Sequence, residues 1–173
     1  MFRSRRSATL WGSVALMVCG GFVTSSASAA TPAPSPAPPP ASAGKAIKSP
    51  LLRSAMNNKC LDVYAFHQED GASVLMWDCN GGPQQQWYWD GEQLRTSLNG
   101  KCLEIYAFRN DNGAAVNTWN CDGGINQRWY WDGQQIRSRM NGKCLDVMFS
   151  RDEVGAIVWM WDCTGGANQR WYQ

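Results

Sequence analysis

Asp62, Glu104 and Asp146 each stand two residues after a cysteine, and Trp77, Trp119 and Trp161 each stand two residues before another. These residue types suggest one kind of chemistry. A pyranose ring has an apolar face of C–H groups that stacks on an aromatic plane. Its hydroxyls need fixed acceptors, and an ionised carboxylate accepts from more than one donor. A carboxylate held beside an indole therefore suits a sugar. An indole buried next to an unpaired carboxylate would be costly, so these three tryptophans are expected at the surface. The competing role for the acids is a structural hydrogen bond within a hairpin. Trp87, Trp129 and Trp171 differ: each closes a Gln-x-Trp pattern and is expected to pack inside.

The elements that must position these residues follow from a repeat. NNKCLDVYAF begins at Asn57, NGKCLEIYAF at Asn99 and NGKCLDVMFS at Asn141, in steps of 42 residues without gaps. Arg53, Arg95 and Arg137 keep the same step, as do both cysteines and the Gln-x-Trp tryptophans. The three units span about 50–91, 92–133 and 134–173. Short runs of β-branched and aromatic residues alternate with polar ones, broken by Asn-Gly, Asp-Gly and Gly-Gly pairs. Asp90-Gly91 and Asp132-Gly133 signal tight hairpins. The spacing predicts about four strands per unit, twelve in all, closed into a three-fold all-β barrel without exposed edges.

Seven cysteines are present, and Cys19 lies in the N-terminal apolar run. The remaining six allow 15 pairings. Three-fold symmetry favours Cys60–Cys79, Cys102–Cys121 and Cys144–Cys163 over Cys79–Cys102, Cys121–Cys144 and Cys60–Cys163. If bridged cysteines sit opposite each other on antiparallel strands, then Asp62 faces Trp77, Glu104 faces Trp119 and Asp146 faces Trp161. Leu61, Val63, Val74 and Met76 then point into the barrel.

Composition removes other classes. The net charge is +2 with 17% charged residues, so a nucleic-acid partner is not expected. His67 is the single histidine, which excludes a multi-histidine metal site or mechanism. Arg3, Arg5 and Arg6, an apolar run over about 8–23 and Ala27-Ser28-Ala29 read as a secretory signal peptide over 1–29. General secretory export fits better than the twin-arginine route, and lipoprotein anchoring or membrane insertion is not expected. Residues 30–49, with TPAPSPAPPP, read as a stiff extended linker. Cleavage leaves 13 basic against 14 acidic residues and an even set of six cysteines, the pattern of an exported disulfide-bonded domain.

The triplicated C-L-D-V, W-D-C and Q-x-W elements over 50–173 resemble the ricin B-type lectin family, the (QxW)3 β-trefoils. The resemblance implies a six-stranded barrel capped by three hairpins and up to three carbohydrate pockets, α, β and γ. It implies that Asp62, Glu104 and Asp146 accept sugar hydroxyls and that Trp77, Trp119 and Trp161 are stacking platforms. Asn126 and Asn168 match a sugar-contacting asparagine, replaced by Gln84 in the first unit. Gln85, Gln127 and Gln169 support the pockets. A polar residue four before the second cysteine is met only by Asn117; Leu75 and Trp159 depart from the pattern. On this basis the γ pocket is expected to be the best formed, then α, then β. Galactose-type sugars and xylan or other plant polysaccharides are the implied ligands.

An enzyme is not expected, because glycoside hydrolysis needs two carboxylates about 5–9.5 Å apart across one sugar and here one acid falls in each unit. Asp152-Glu153 and Asn110-Asp111-Asn112-Gly113 read as solvated turns, and no metal or cofactor is implied. The rival from another class is a protein-binding trefoil, since fold alone does not choose a function. Oligomeric state is not legible.

Overall fold

The computed structural model describes residues 50–173; the predicted signal peptide and linker lie outside the described residues. Twelve strands occur among the described residues: β1 (Arg53–Ser54), β2 (Cys60–Val63), β3 (Ala72–Trp77), β4 (Trp87–Asp90), β5 (Gln93–Thr96), β6 (Cys102–Ile105), β7 (Ala114–Trp119), β8 (Trp129–Asp132), β9 (Gln135–Ser138), β10 (Cys144–Val147), β11 (Val158–Trp161) and β12 (Trp171–Tyr172). No α-helix occurs among these residues; the remaining regular pieces are single 3₁₀ turns. The architecture is the three-fold all-β one that the repeat predicts, and the trefoil that the family resemblance implies.

Each unit contributes one long hairpin, β2–β3, β6–β7 or β10–β11. These hairpins meet through β3, β7 and β11, where β7 pairs with both of the others and Leu75 bridges to Ile157. Consecutive units join through β4–β5 and β8–β9, and β12 pairs with β1 to close the ring. Asp90 pairs with Gln93 across a two-residue turn, with Gly91 at a φ of 60°. The loop is Gly91-Glu92 rather than Asp90-Gly91, and a positive φ at the first loop residue is what glycine supplies in such a two-residue hairpin.

The alternation of side chains puts the core where the pattern predicts it. In β3, Ala72, Val74 and Met76 are buried, and Ser73 and Trp77 face outward. Leu61, Val63, Leu103, Ile105, Leu145 and Val147 complete the inner faces of the hairpins. Trp87, Trp129 and Trp171 fill the centre, and each indole N–H donates to the carbonyl of Leu61, Leu103 or Leu145 at 2.9–3.0 Å. The largest core side chains therefore leave no orphaned donor, which burial demands.

All three disulfides pair within units, with Cα–Cα separations of 5.2 Å. The expected register is corrected. Cys60 pairs with Trp77 rather than with Cys79, and Asp62 pairs with Leu75 rather than with Trp77. Likewise Glu104 faces Asn117 and Asp146 faces Trp159. The second cysteine of each bridge lies beyond its strand, which ends at the tryptophan. The disulfide therefore spans diagonally from strand to loop, and the ladder slips by two residues. A slip of two preserves the face, so acid and tryptophan still share one side, as diagonal rather than direct neighbours.

Candidate functional site

Asp62 lies on the outer face of β2, yet it is only 4% exposed, because the loop carrying Gln84 and Gln85 folds over it. Gln85 is the tie. Its Nε2 donates to Asp62 Oδ2 at 2.7 Å and to the Asp78 carbonyl at 2.9 Å. Its Oε1 accepts the N–H groups of Asn80 and Gly81. Gln127 and Gln169 repeat this arrangement against Glu104 and Asp146. The second amide of each unit adds a further donor to the same carboxylate oxygen: Gln84 at 3.4 Å, Asn126 at 3.4 Å and Asn168 at 2.9 Å. One oxygen of each acid is thus held by the protein. Among the described residues, Asp62 Oδ1 and Glu104 Oε1 accept nothing, whereas Asp146 Oδ1 accepts the Trp159 indole N–H at 3.0 Å.

Gly82, Gly124 and Gly166 explain how the second amides reach the acids. None needs a positive φ. A Cβ at each would instead lie 2.2, 2.5 or 2.6 Å from the amide oxygen of Gln84, Asn126 or Asn168. Glycine there leaves room for the amide beside the acid, and a side chain would push that flexible amide aside.

In front of each acid lies a cavity. The first, about 300 Å³, is lined by Asp62, Tyr64, Phe66, Trp77, Asn80 and Gln84. The second, about 310 Å³, is lined by Glu104, Tyr106, Phe108, Trp119, Asp122 and Asn126. The third, about 310 Å³, is lined by Asp146, Phe149, Trp159, Trp161, Thr164 and Asn168. Trp77 and Trp119 are 36% and 37% exposed, so an indole and a carboxylate do share each of these openings. Gln85, Gln127, Gln169 and Asn117 stand behind the acids or beside them rather than in the cavity walls. Asn117 is 6% exposed, across the ladder from Glu104, and its Oδ1 has no partner.

Sequence reasoning missed one wall. After each acid strand the chain makes a 3₁₀ turn at 64–66, 106–108 or 148–150. Ala65, Phe66, Ala107, Phe108, Phe149 and Ser150 there adopt φ between 50° and 58°. Left-handed backbone at consecutive non-glycine residues is strained by about 1–3 kcal/mol each. The strain turns Tyr64 and Phe66, Tyr106 and Phe108, and Phe149 onto the cavities. The available signal was the Tyr-Ala-Phe repeated directly after the acid strand. Asn80, Asp122 and Thr164, one residue past the second cysteine, were also missed.

Desolvation raises the pKa of Asp62, Glu104 and Asp146 above ordinary carboxylate values, and the amide hydrogen bonds only partly offset it. Each acid is therefore a charge kept partly dry, and at Asp62 and Glu104 one oxygen keeps its full acceptor capacity. A hydroxyl donor would complete it, and a C–H face would cover the adjacent indole. A larger, more open cleft of about 440 Å³ lies elsewhere, between Asp132, Gln135, Arg137 and Arg170. It presents no aromatic plane, and Asp132 is tied to Arg137 at 3.0 Å.

Comparison with known proteins fits this geometry. The designed three-fold symmetric protein ThreeFoil superposes with a TM-score of 0.65 at 30% identity, over 70% of this chain and 94% of that one. The C-half of the earthworm R-type lectin, solved in complex with GalNAc, matches at 26% identity and a TM-score of 0.61, over 71% and 97% of the two chains. An exo-beta-1,3-galactanase from Clostridium thermocellum matches at 29% identity and a TM-score of 0.64, over 70% of this chain but only 28% of that one. The model of the ricin-type beta-trefoil lectin domain matches residues 49–172. With its three-fold hairpins, its buried Gln-x-Trp tryptophans and this match over most of its length, the chain belongs to the ricin-type beta-trefoil lectin family.

Proposed function

We propose that this protein is a secreted, non-catalytic lectin whose pockets each take one pyranose unit of a glycan or polysaccharide. The observation that carries the reading is the pairing, in a single cavity, of an exposed indole with a carboxylate that has one uncommitted oxygen, at Trp77 with Asp62 and at Trp119 with Glu104. Galactose-type sugars head the candidates, because the earthworm relative was solved with GalNAc. Xylan and other plant polysaccharides follow. Three disulfides fit an oxidising, extracellular setting. Asp62 and Asp146 are each the single carboxylate of their cavity, and although Asp122 joins Glu104 in the second, all three acids are tied by amides of their own unit, which supports binding rather than hydrolysis. Repeated pockets on one rigid body suit a polymeric or cell-surface ligand, since second contacts become intramolecular.

A glycan array with the oxidised protein tests the reading, using galactosides, mannosides, xylan and arabinogalactan fragments. The expected result is a defined hit that disappears in the folded Trp77→Ala, Trp119→Ala, Trp161→Ala triple variant. One observation favours a second reading, a protein-binding trefoil: Phe66, Phe108 and Phe149 are 53%, 57% and 70% exposed at the cavity rims. Silence across the array from folded protein would sink the lectin reading and leave that one.

A further inference from the structure

The three pockets are not equivalent, and the departure lies at one position. Across the ladder from each acid stands Leu75, Asn117 or Trp159. Leu75 and Asn117 donate nothing to the acid they face. Trp159 donates its indole N–H to Asp146 Oδ1 at 3.0 Å, so both oxygens of Asp146 are engaged by the protein. The same indole stacks on Trp161, with ring centroids 4.9 Å apart and planes 21° from parallel. Phe149 packs edge-on against it at 5.1 Å. A further detail shows the rearrangement. A Cβ on Gly71 would lie 3.6 Å from the ring of Trp119, but a Cβ on Gly113, its counterpart one unit on, would lie 3.5 Å from Trp159 and meets no atom of Trp161. Trp159 has taken the glycine-backed seat, and Trp161 lies against it.

We infer that Trp159 is a built-in competitor at the γ pocket: it holds an acceptor position on Asp146 and an indole face that a sugar needs in the other two pockets. The inference rests on the lectin reading and sharpens it. A cavity remains beside Asp146, but a pyranose entering it finds one fewer charged acceptor and a platform already half covered. The protein is then a two-site lectin, binding through α and β, with γ weaker by about ten- to a hundredfold, the loss expected for one hydrogen bond to a charged group. This reverses the order expected from the family pattern, which placed γ first. Replacing Trp159 by the asparagine that unit 2 carries would release Asp146 Oδ1 and open a third site.

The test is a two-dimensional NMR titration that follows the indole N–H signals of Trp77, Trp119 and Trp161 separately. The protein is titrated in turn with N-acetyl-D-lactosamine, galactobiose and xylobiose. In the unsubstituted protein, Trp77 and Trp119 should saturate at sugar concentrations at least tenfold below those that move Trp161. In Trp159→Asn, Trp161 should saturate in step with the others, and the dispersion of the same spectrum reports whether the variant folds. Should it fail to fold, the unsubstituted protein still decides the matter. If Trp161 shifts together with Trp77 and Trp119 there, or if folded Trp159→Asn leaves Trp161 lagging, the inference is overturned and the lectin reading stands. If no indole responds to any of the three sugars, the lectin reading itself falls and this inference with it.

Discussion

Gln85 is where fold and pocket are most tightly coupled, and Gln85→Ala separates a supporting residue from a contacting one. Its side chain is fully buried and makes four hydrogen bonds: to Asp62 Oδ2, to the Asp78 carbonyl, and from the N–H groups of Asn80 and Gly81. The bond to the carboxylate is worth about 1.5–3 kcal/mol, and each neutral bond about 0.5–1.5 kcal/mol. Alanine also leaves Asp62 Oδ2 with only the long contact from Gln84 at 3.4 Å. A water entering the vacated space recovers part of the loss, so destabilisation of about 3–5 kcal/mol is expected. The second consequence concerns charge. Gln85 is the largest influence holding the Asp62 pKa down against desolvation, so its removal raises that pKa further and pushes the acid limit of α-pocket binding to higher pH. Urea unfolding followed by tryptophan fluorescence measures the first effect, and sugar titrations between pH 4 and 7 measure the second. A stability loss under about 1 kcal/mol, with an unchanged pH profile at the α pocket, would refute the view that this glutamine organises the acid.

Other consequences are equally accessible. Sugar binding should fail on acidification above the pH at which an ordinary carboxylate protonates, because burial raises Asp62 and Glu104 and a protonated acid loses acceptor capacity; affinity measured against pH checks this. The loss should not be mistaken for unfolding: a carboxylate whose folded pKa is raised contributes stability below its unfolded pKa and loses it as pH rises through the folded one. Acid unfolding should instead follow Asp70 and Asp162, whose pKa values are lowered chiefly by hydrogen bonds from Lys101 and Lys143 and whose contribution disappears as pH falls. Gly124→Ala should displace the Asn126 amide, since the new Cβ would lie 2.5 Å from its Oδ1, and weaken binding at the middle pocket more than at the first. Replacing Cys102 and Cys121 together by alanine should cost about 3 kcal/mol, the chain-entropy value for a loop of about 20 residues, seen as a lower urea midpoint.

Much of the fold was legible because the repeat is exact in length: a step of 42 residues fixes strand count, bridge pairing and which faces of β2 and β3 point inward. The burial of Leu61, Val74 and Met76 and of the Gln-x-Trp tryptophans follows from alternation and from the need to satisfy an indole N–H. The register did not follow, because a disulfide constrains two Cα atoms to about 5–6 Å whether or not both belong to the ladder, and Cys79 lies past the end of β3. The strained turns at 65–66 and 107–108 left no glycine to mark them. The role of Trp159 was hidden for a different reason. Its spacing showed only a departure from a pattern, whereas its hydrogen bond and stacking are three-dimensional facts.

The central claim, that sugar binds where a carboxylate and an indole share a cavity, is tested most directly by a crystal structure with the strongest array ligand. The account predicts a pyranose stacked on Trp77 and on Trp119, with hydroxyls donating to Asp62 Oδ1 and Glu104 Oε1. A sugar found instead in the polar cleft between Asp132, Arg137 and Arg170, with both of those cavities empty, would contradict it.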